Sequence, residues 1–435
     1  MDCFFLTITI LGAFIMVFGL ISLFIKEKLY ISETLVATVF GIIIGPYALK
    51  AVPIDSSYTI NFSRIVICMQ VICVGMIVPK TYLINEKRSL MMFLVPIMII
   101  SYIISSVAIH YILGLNWLYS FIIGACVTPT DPVLSSTALK GKFANRYVPQ
   151  HLRNLLTIES GANDGLGFPM LTLPLYLLGY SKITKALYMW GFRTLFIEVF
   201  IAILIGICIG YISRKILYFS AERKLIDKES FLSFLIALTF FTTGFTAIFS
   251  LDDILACFIT GMVFAYNRTL VNDIKDSHLY EVIDLLCNLS FFIFFGASIP
   301  FAQIKLKYII VGIVLLFFRR LPVVLAFKEF VPQLFNYKEA VFAGWFGPIG
   351  VGAVFFAYHT QHEMEHFGKE FITLHNTFYE EIIPIIYTIV MCSIIVHGIT
   401  APIMHIHLKR KKANTITEIS ESEYTEFEDQ PILQQ

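Results

Sequence analysis

The stretch Phe121-Ile-Ile-Gly-Ala-Cys-Val-Thr128-Pro129-Thr130-Asp131-Pro132 decides how this chain is read. An apolar run enters two prolines, two hydroxyls and a carboxylate, and Val133 and Leu134 then resume the apolar pattern. Apolar flanks of this kind recur along most of the sequence. Of 435 residues, 57% are apolar and only 14% charged, with mean hydropathy +0.78. Soluble domains carry about a quarter charged residues, so lipid is the solvent here. Long apolar runs span lipid as helices, whereas membrane barrels show short alternating strands. The net charge of +1 gives no basis for a nucleic-acid partner. The eight cysteines lie in or beside apolar runs without a CxxC pair, as packing residues do.

A helical span needs about 20 mostly apolar residues. That rule gives thirteen candidates, at about 4–25, 30–46, 60–79, 91–112, 118–139, 151–180, 194–218, 231–249, 253–268, 285–300, 308–327, 340–358 and 379–404. Lysine and arginine crowd the odd-numbered loops, including Lys26, Lys28, Lys87, Arg88, Lys140, Lys142, Arg146 and Lys275. Even-numbered loops hold fewer, among them Lys50, Lys182 and Arg193. The positive-inside rule then predicts an outer N-terminus and a cytoplasmic C-terminus. Residues 1–408 form one transmembrane domain in this reading. Beyond it, Arg410-Lys-Lys412 and the acidic residues from Glu418 to Asp429 read as a basic membrane anchor and a short disordered tail over 409–435.

With 194–218 set aside as a connector, six spans lie on each side, over about 4–180 and 231–404. The fifth span of the first half carries the Thr128–Pro132 break. The fifth span of the second half carries Gly344-Trp-Phe-Gly-Pro348-Ile-Gly350. Two interrupted helices at matching positions predict inverted repeats whose broken helices cross at a binding site, with Pro132 and Pro348 at the breaks. A merely structural reading is that Pro and Gly are common in membrane helices.

Asp131 and Asp164 each fall roughly 15–20 Å into a span, by a rise of 1.5 Å per residue. A charge there is costly, so its default reading is functional. An unpaired carboxylate in low dielectric is neutralised by a proton or by a cation. Sodium and lithium take hard oxygen ligands. Asp164, the Asn163 amide, Asp131, Thr128, Thr130 and freed backbone carbonyls offer them. One carboxylate that holds a cation or a proton, never both, is the core of an exchanger. Asp131 has the alternative of bracing the unwound stretch. Glu159 calls for a cation such as Arg319 or Arg320 if it is buried, and otherwise all three snorkel toward water. Asp252 and Asp253 fall at the outer edge of the ninth span, either as a cation-attracting pair or as a helix cap.

Thr128–Pro132 and Glu159-Ser-Gly-Ala-Asn-Asp-Gly-Leu-Gly-Phe168 resemble the fungal plasma-membrane alkali-cation/proton antiporters of the cation:proton antiporter superfamily. Leu251-Asp-Asp-Ile-Leu-Ala-Cys-Phe258, Phe294-Phe-Gly-Ala-Ser-Ile-Pro300, Arg319-Arg-Leu-Pro322 and Gly344–Gly350 are similar to the same family, in its order, over about residues 30–405. The resemblance implies the thirteen-helix sodium/proton antiporter fold, a homodimer, no enzymatic activity and no cofactor. It implies sodium or lithium exchange for protons, with potassium as a further candidate. Asp164 is then the carboxylate shared by sodium and proton, beside Asn163. Related exchangers pair the residue matching Glu159 with an arginine of the twelfth helix. This sequence has none there, so Arg319 or Arg320 takes that part or the pair is absent. Asp252 and Asp253 match an acidic pair of the fungal branch.

One motif points elsewhere. His362-Glu363-Met364-Glu365-His366 satisfies H-E-x-x-H, the zinc-protease signature, with His359 or His375 as a third ligand. Its expected place is a polar loop outside the twelfth span, where a solvated loop or a metal- or pH-sensing segment is the simpler reading. A cation channel built on the same acids is the remaining alternative, and the interrupted-helix symmetry favours the exchanger.

Overall fold

A computed structural model describes residues 3–25, 28, 31–50, 56–77, 80–139, 148–266 and 279–428, and among these there is no strand. Among the described residues six helices are long and apolar enough to cross a membrane, and shorter apolar helices such as Glu33–Ile44 and Asp253–Phe264 lie between them. Phe240, Phe241, Ile248 and Leu204 stand exposed on the bundle exterior. Water would penalise such a surface and lipid accepts it.

The helices fall close to the spans expected. The fifth span is two helices, Trp117–Val127 and Pro132–Leu139, separated by the unwound Thr128–Asp131. The twelfth is also two, Tyr337–Trp345 and Val351–His366, separated by Phe346–Gly350. Gln150–Gly179 is a single helix of 30 residues despite Pro169 and Pro174.

Several expectations need correction. The eleventh span is not continuous: it breaks at Arg319–Arg320 into Leu306–Phe318 and Leu321–Ala326. Pro322 lacks an N–H and its ring crowds the carbonyl four residues back, so the helix stops and restarts with proline in its first turn. The seventh span extends well past 194–218, as one rod from Ile183 to Glu222 whose middle, Trp190–Ile201, is π-helical. Arg193 therefore lies within a helix rather than a loop. His362–His366 is also helical, the last turns of Val351–His366, because polar residues end a lipid span without ending a helix. The final helix runs from Asn376 to Glu428. Lys26, Lys140, Lys142, Arg146, Lys275 and Asp429 lie outside the described residues.

Glycine sets the tightest packing. The Ser56–Ile77 and Asp253–Phe264 helices meet at Gly75 and Gly261, where a Cβ on either would strike the other's backbone. The Glu33–Ile44 and Leu279–Ser298 helices meet in the same way at Gly41 and Gly296. Small residues let backbones approach closely where hydrophobicity cannot drive association in lipid.

Candidate functional site

The two breaks adjoin in the protein interior, and their four helix ends create the electrostatic problem the site must solve. An interrupted helix exposes N–H groups at one break and carbonyls at the other, with partial positive and negative charge respectively. Asp131 answers the first. Its Oδ1 accepts the Leu134 N–H at 2.9 Å and its Oδ2 the Val351 N–H at 2.6 Å, so one carboxylate caps two helices. Its own N–H donates to the Pro348 carbonyl at 2.9 Å, and Pro132 begins the helix that Asp131 caps. A Cβ on Gly350 would collide with the Asp131 carboxylate, which explains glycine there.

Arg319 answers the second. Its guanidinium donates to the carbonyls of Val127, Thr128 (2.9 Å) and Gly347, at the C-terminal ends of both leading half-helices. The freed carbonyls expected as cation ligands are thus largely taken. Arg320 forms the pair with Glu159, bidentate at 2.5 and 2.7 Å, and adds a bond to the Ala343 carbonyl at 3.0 Å. Both partners are buried, so snorkelling is excluded. The eleventh-span break makes this possible by placing adjacent arginines on two separate tasks.

Asn163 braces the unwound stretch. Its Oδ1 accepts the Thr130 N–H at 3.3 Å and its Nδ2 donates to Thr130 Oγ1 at 2.8 Å, which also meets Ser160 Oγ at 3.0 Å. Thr128 donates its hydroxyl to the Gly124 carbonyl at 2.7 Å. Asp164 differs from all of these. It sits at the centre of the Gln150–Gly179 helix and is 3% exposed. Among the described residues no hydrogen bond or ion pair engages its carboxylate. The Val351–His366 helix passes so close that a Cβ on Gly352 would stand 2.8 Å from Asp164 Oδ1.

Asp252 and Asp253 are not at a solvated edge: they are 4% and 3% exposed. They avoid mutual repulsion by separating. Asp252 Oδ1 caps the Asp253–Phe264 helix through the Leu255 N–H at 2.9 Å, while Asp253 pairs with Arg64 at 2.6 Å. Sequence reading missed Arg64, and with it Glu198, which pairs with Arg193 at 3.0 Å and accepts the Asp252 N–H on its backbone carbonyl at 3.0 Å. The available signal was a charge inside an apolar run. Asp252 Oδ2 and Glu198 Oε2 are buried without a partner among the described residues. Asp131, Asp164, Asp252 and Glu198 lie in electrostatic reach of one another in succession. His375 Nδ1 is held by the Tyr119 hydroxyl at 2.5 Å, and among the described residues His375 does not join the His362, Glu363 and His366 cluster.

A family model described as the transmembrane sodium/hydrogen exchanger matches residues 12–407. The chain is 37% identical to a Na(+)/H(+) antiporter of Saccharomyces cerevisiae, over 93% of this chain and 44% of that one. It is 37% identical to Na(+)/H(+) antiporter 2 of Zygosaccharomyces rouxii, over 89% of this chain and 51% of the relative. The chain thus spans about half the length of these curated relatives. A Na(+)/H(+) antiporter of Schizosaccharomyces pombe matches at 31% over 96% of this chain and 94% of its own. The structure of the sodium/proton antiporter of Methanocaldococcus jannaschii at pH 8 superposes with a TM-score of 0.70 at 20% identity, over 92% of this chain and 97% of that one, which shows a shared fold. The chain is a multi-pass membrane protein and belongs to the sodium/hydrogen exchanger family, among its fungal cation:proton antiporters.

Proposed function

We propose that this chain exchanges sodium or lithium, with potassium as a further candidate, for protons, and that cation and proton compete for Asp164. One observation carries this reading: Asp164 is a buried carboxylate at mid-helix with no hydrogen bond or ion pair among the described residues, while Asp131, Glu159 and Arg320 are engaged. A lone carboxylate in that setting is neutralised by a bound proton or a bound cation, and holding one excludes the other. Asp131, Arg319 and the Glu159–Arg320 pair hold the crossing open without occupying Asp164. Asn163, Thr128 and Thr130 are braces first, with lone pairs left for a cation.

Coupled transport further requires that Asp164 face one side at a time. Two inverted repeats within a thirteen-helix arrangement supply the frame. Beyond the matching breaks, the Gly41–Gly296 and Gly75–Gly261 contacts pair corresponding spans reciprocally, second with tenth and ninth with third, as a two-fold axis in the membrane plane requires. The loop charges support an outer N-terminus and a cytoplasmic C-terminus. The family resemblance supports a plasma-membrane homodimer.

The test is an imposed sodium gradient across vesicles containing the purified protein and a pH-sensitive dye. Exchange moves the internal pH. Competition also raises the apparent KM for sodium toward about tenfold per pH unit on the acid side, with the maximal rate unchanged. Sodium flux without proton movement would instead mark a channel.

A further inference from the structure

The H-E-x-x-H run has no part in the exchange site, yet the fold arranges it as a chelate. We propose that His362, Glu363 and His366 bind a divalent transition-metal ion of the zinc class at the aqueous end of the Val351–His366 helix, the outer face by the loop-charge reading. One ligand atom from each lies within 4.8 Å of the others. Two histidines four residues apart project from the same helix face. Donors about 2.0–2.2 Å from a tetrahedral zinc stand about 3.4 Å apart, so closing the chelate needs a shift of roughly 1.4 Å or less. Both imidazoles are exposed and packed edge-to-face on each other, and Glu363 is half-buried, which leaves the remaining coordination positions open to water.

The neighbours define the ligand set. Glu365, on the same helix, accepts the Tyr379 hydroxyl at 2.7 Å and is engaged elsewhere. His375 is engaged by Tyr119. His362, Glu363 and His366 have no such partner among the described residues. One turn nearer the membrane, His359 continues the same face, with its Nε2 buried and unpartnered and its ring beside Phe168 and Phe355. Imidazole and carboxylate together suit zinc or copper over calcium or magnesium, which take all-oxygen sets. The exposed position, with nothing enclosing a substrate, makes this a binding site rather than a protease centre.

Zinc chloride titrated calorimetrically into the purified full chain tests the assignment. The expected result is one zinc per chain. His362→Ala and His366→Ala should each weaken binding at least about tenfold, since even groups supporting a ligand cost that much. Glu365→Gln should leave it unchanged, and the thermal unfolding of each purified variant verifies folding. Absence of saturable zinc binding, or equal binding by the His362→Ala/His366→Ala double variant, overturns the proposal. Because exchange is read separately, failure here leaves the Asp164 mechanism intact, and failure of exchange leaves the metal site intact.

Discussion

Replacing Asp131 by asparagine separates a brace from a ligand. Asp131 gives one oxygen to the Leu134 N–H and the other to the Val351 N–H, at 2.9 and 2.6 Å, while 3% exposed. Asparagine has one side-chain oxygen, so one helix keeps its cap and the other N–H faces an amide NH2. A hydrogen bond to a charged group contributes about 1.5–3 kcal/mol, and a charge at a helix N-terminus about 0.3–1 kcal/mol. The loss therefore comes to about 2–4 kcal/mol. Thermal unfolding of the purified variant and sodium-dependent exchange in vesicles read the two consequences. A brace predicts a clearly lower melting temperature and a reduced maximal rate, with KM for sodium within about twofold of the parent. An unchanged melting temperature together with a KM raised tenfold or more would refute the bracing argument and make Asp131 a direct ligand.

Other substitutions test the remaining parts of the crossing. Arg319→Met strips the donor from the carbonyls of Val127, Thr128 and Gly347, at about 1–3 kcal/mol for each buried group left unsatisfied, so the yield of monodisperse protein should collapse. Glu159→Gln leaves Arg320 buried without its counter-charge, costing about 3–5 kcal/mol in thermal or denaturant unfolding. The double change Glu159→Leu/Arg320→Met should be milder than either single one, because it removes both charges together. Gly352→Ala sets a methyl 2.8 Å from Asp164 Oδ1, inside ordinary contact distance. Alanine favours the helix, so the protein should stay folded while exchange falls at least about tenfold, with potassium affected more than lithium. Unaltered exchange there would remove the cation from that side of Asp164.

Much of the crossing was legible because its signals are local. Proline and glycine clustered within a few residues favour a helix break, so Thr128–Pro132 and Gly344–Gly350 announced their unwound segments, and Asp164 stood out through the cost of charge in lipid. Which arginine meets Glu159 depends on how the eleventh span is broken, a consequence of Pro322 that the surrounding apolar pattern hides. The division of labour between Asp131 and Arg319 is tertiary: four helix ends must converge before one carboxylate and one guanidinium can serve them. His362–His366 was misplaced for a different reason. Hydropathy reports the solvent around a segment, whereas the helix is held by its backbone and continues into water. Arg64 and Glu198 were passed over as single charges in long apolar runs, and Arg193 because its expected place was a loop; the fold pairs Arg64 with Asp253 and Arg193 with Glu198.

Asp164→Asn in vesicles with a sodium gradient addresses the exchange mechanism most directly. Asparagine keeps the size of the side chain and removes the charge for which cation and proton compete. Competition at Asp164 predicts that the sodium-driven pH change disappears while the variant remains folded with a melting temperature at least equal to the parent's, since a buried carboxylate with no ion pair among the described residues has been removed. Sodium-driven proton movement at the parent's rate in that folded variant would contradict it.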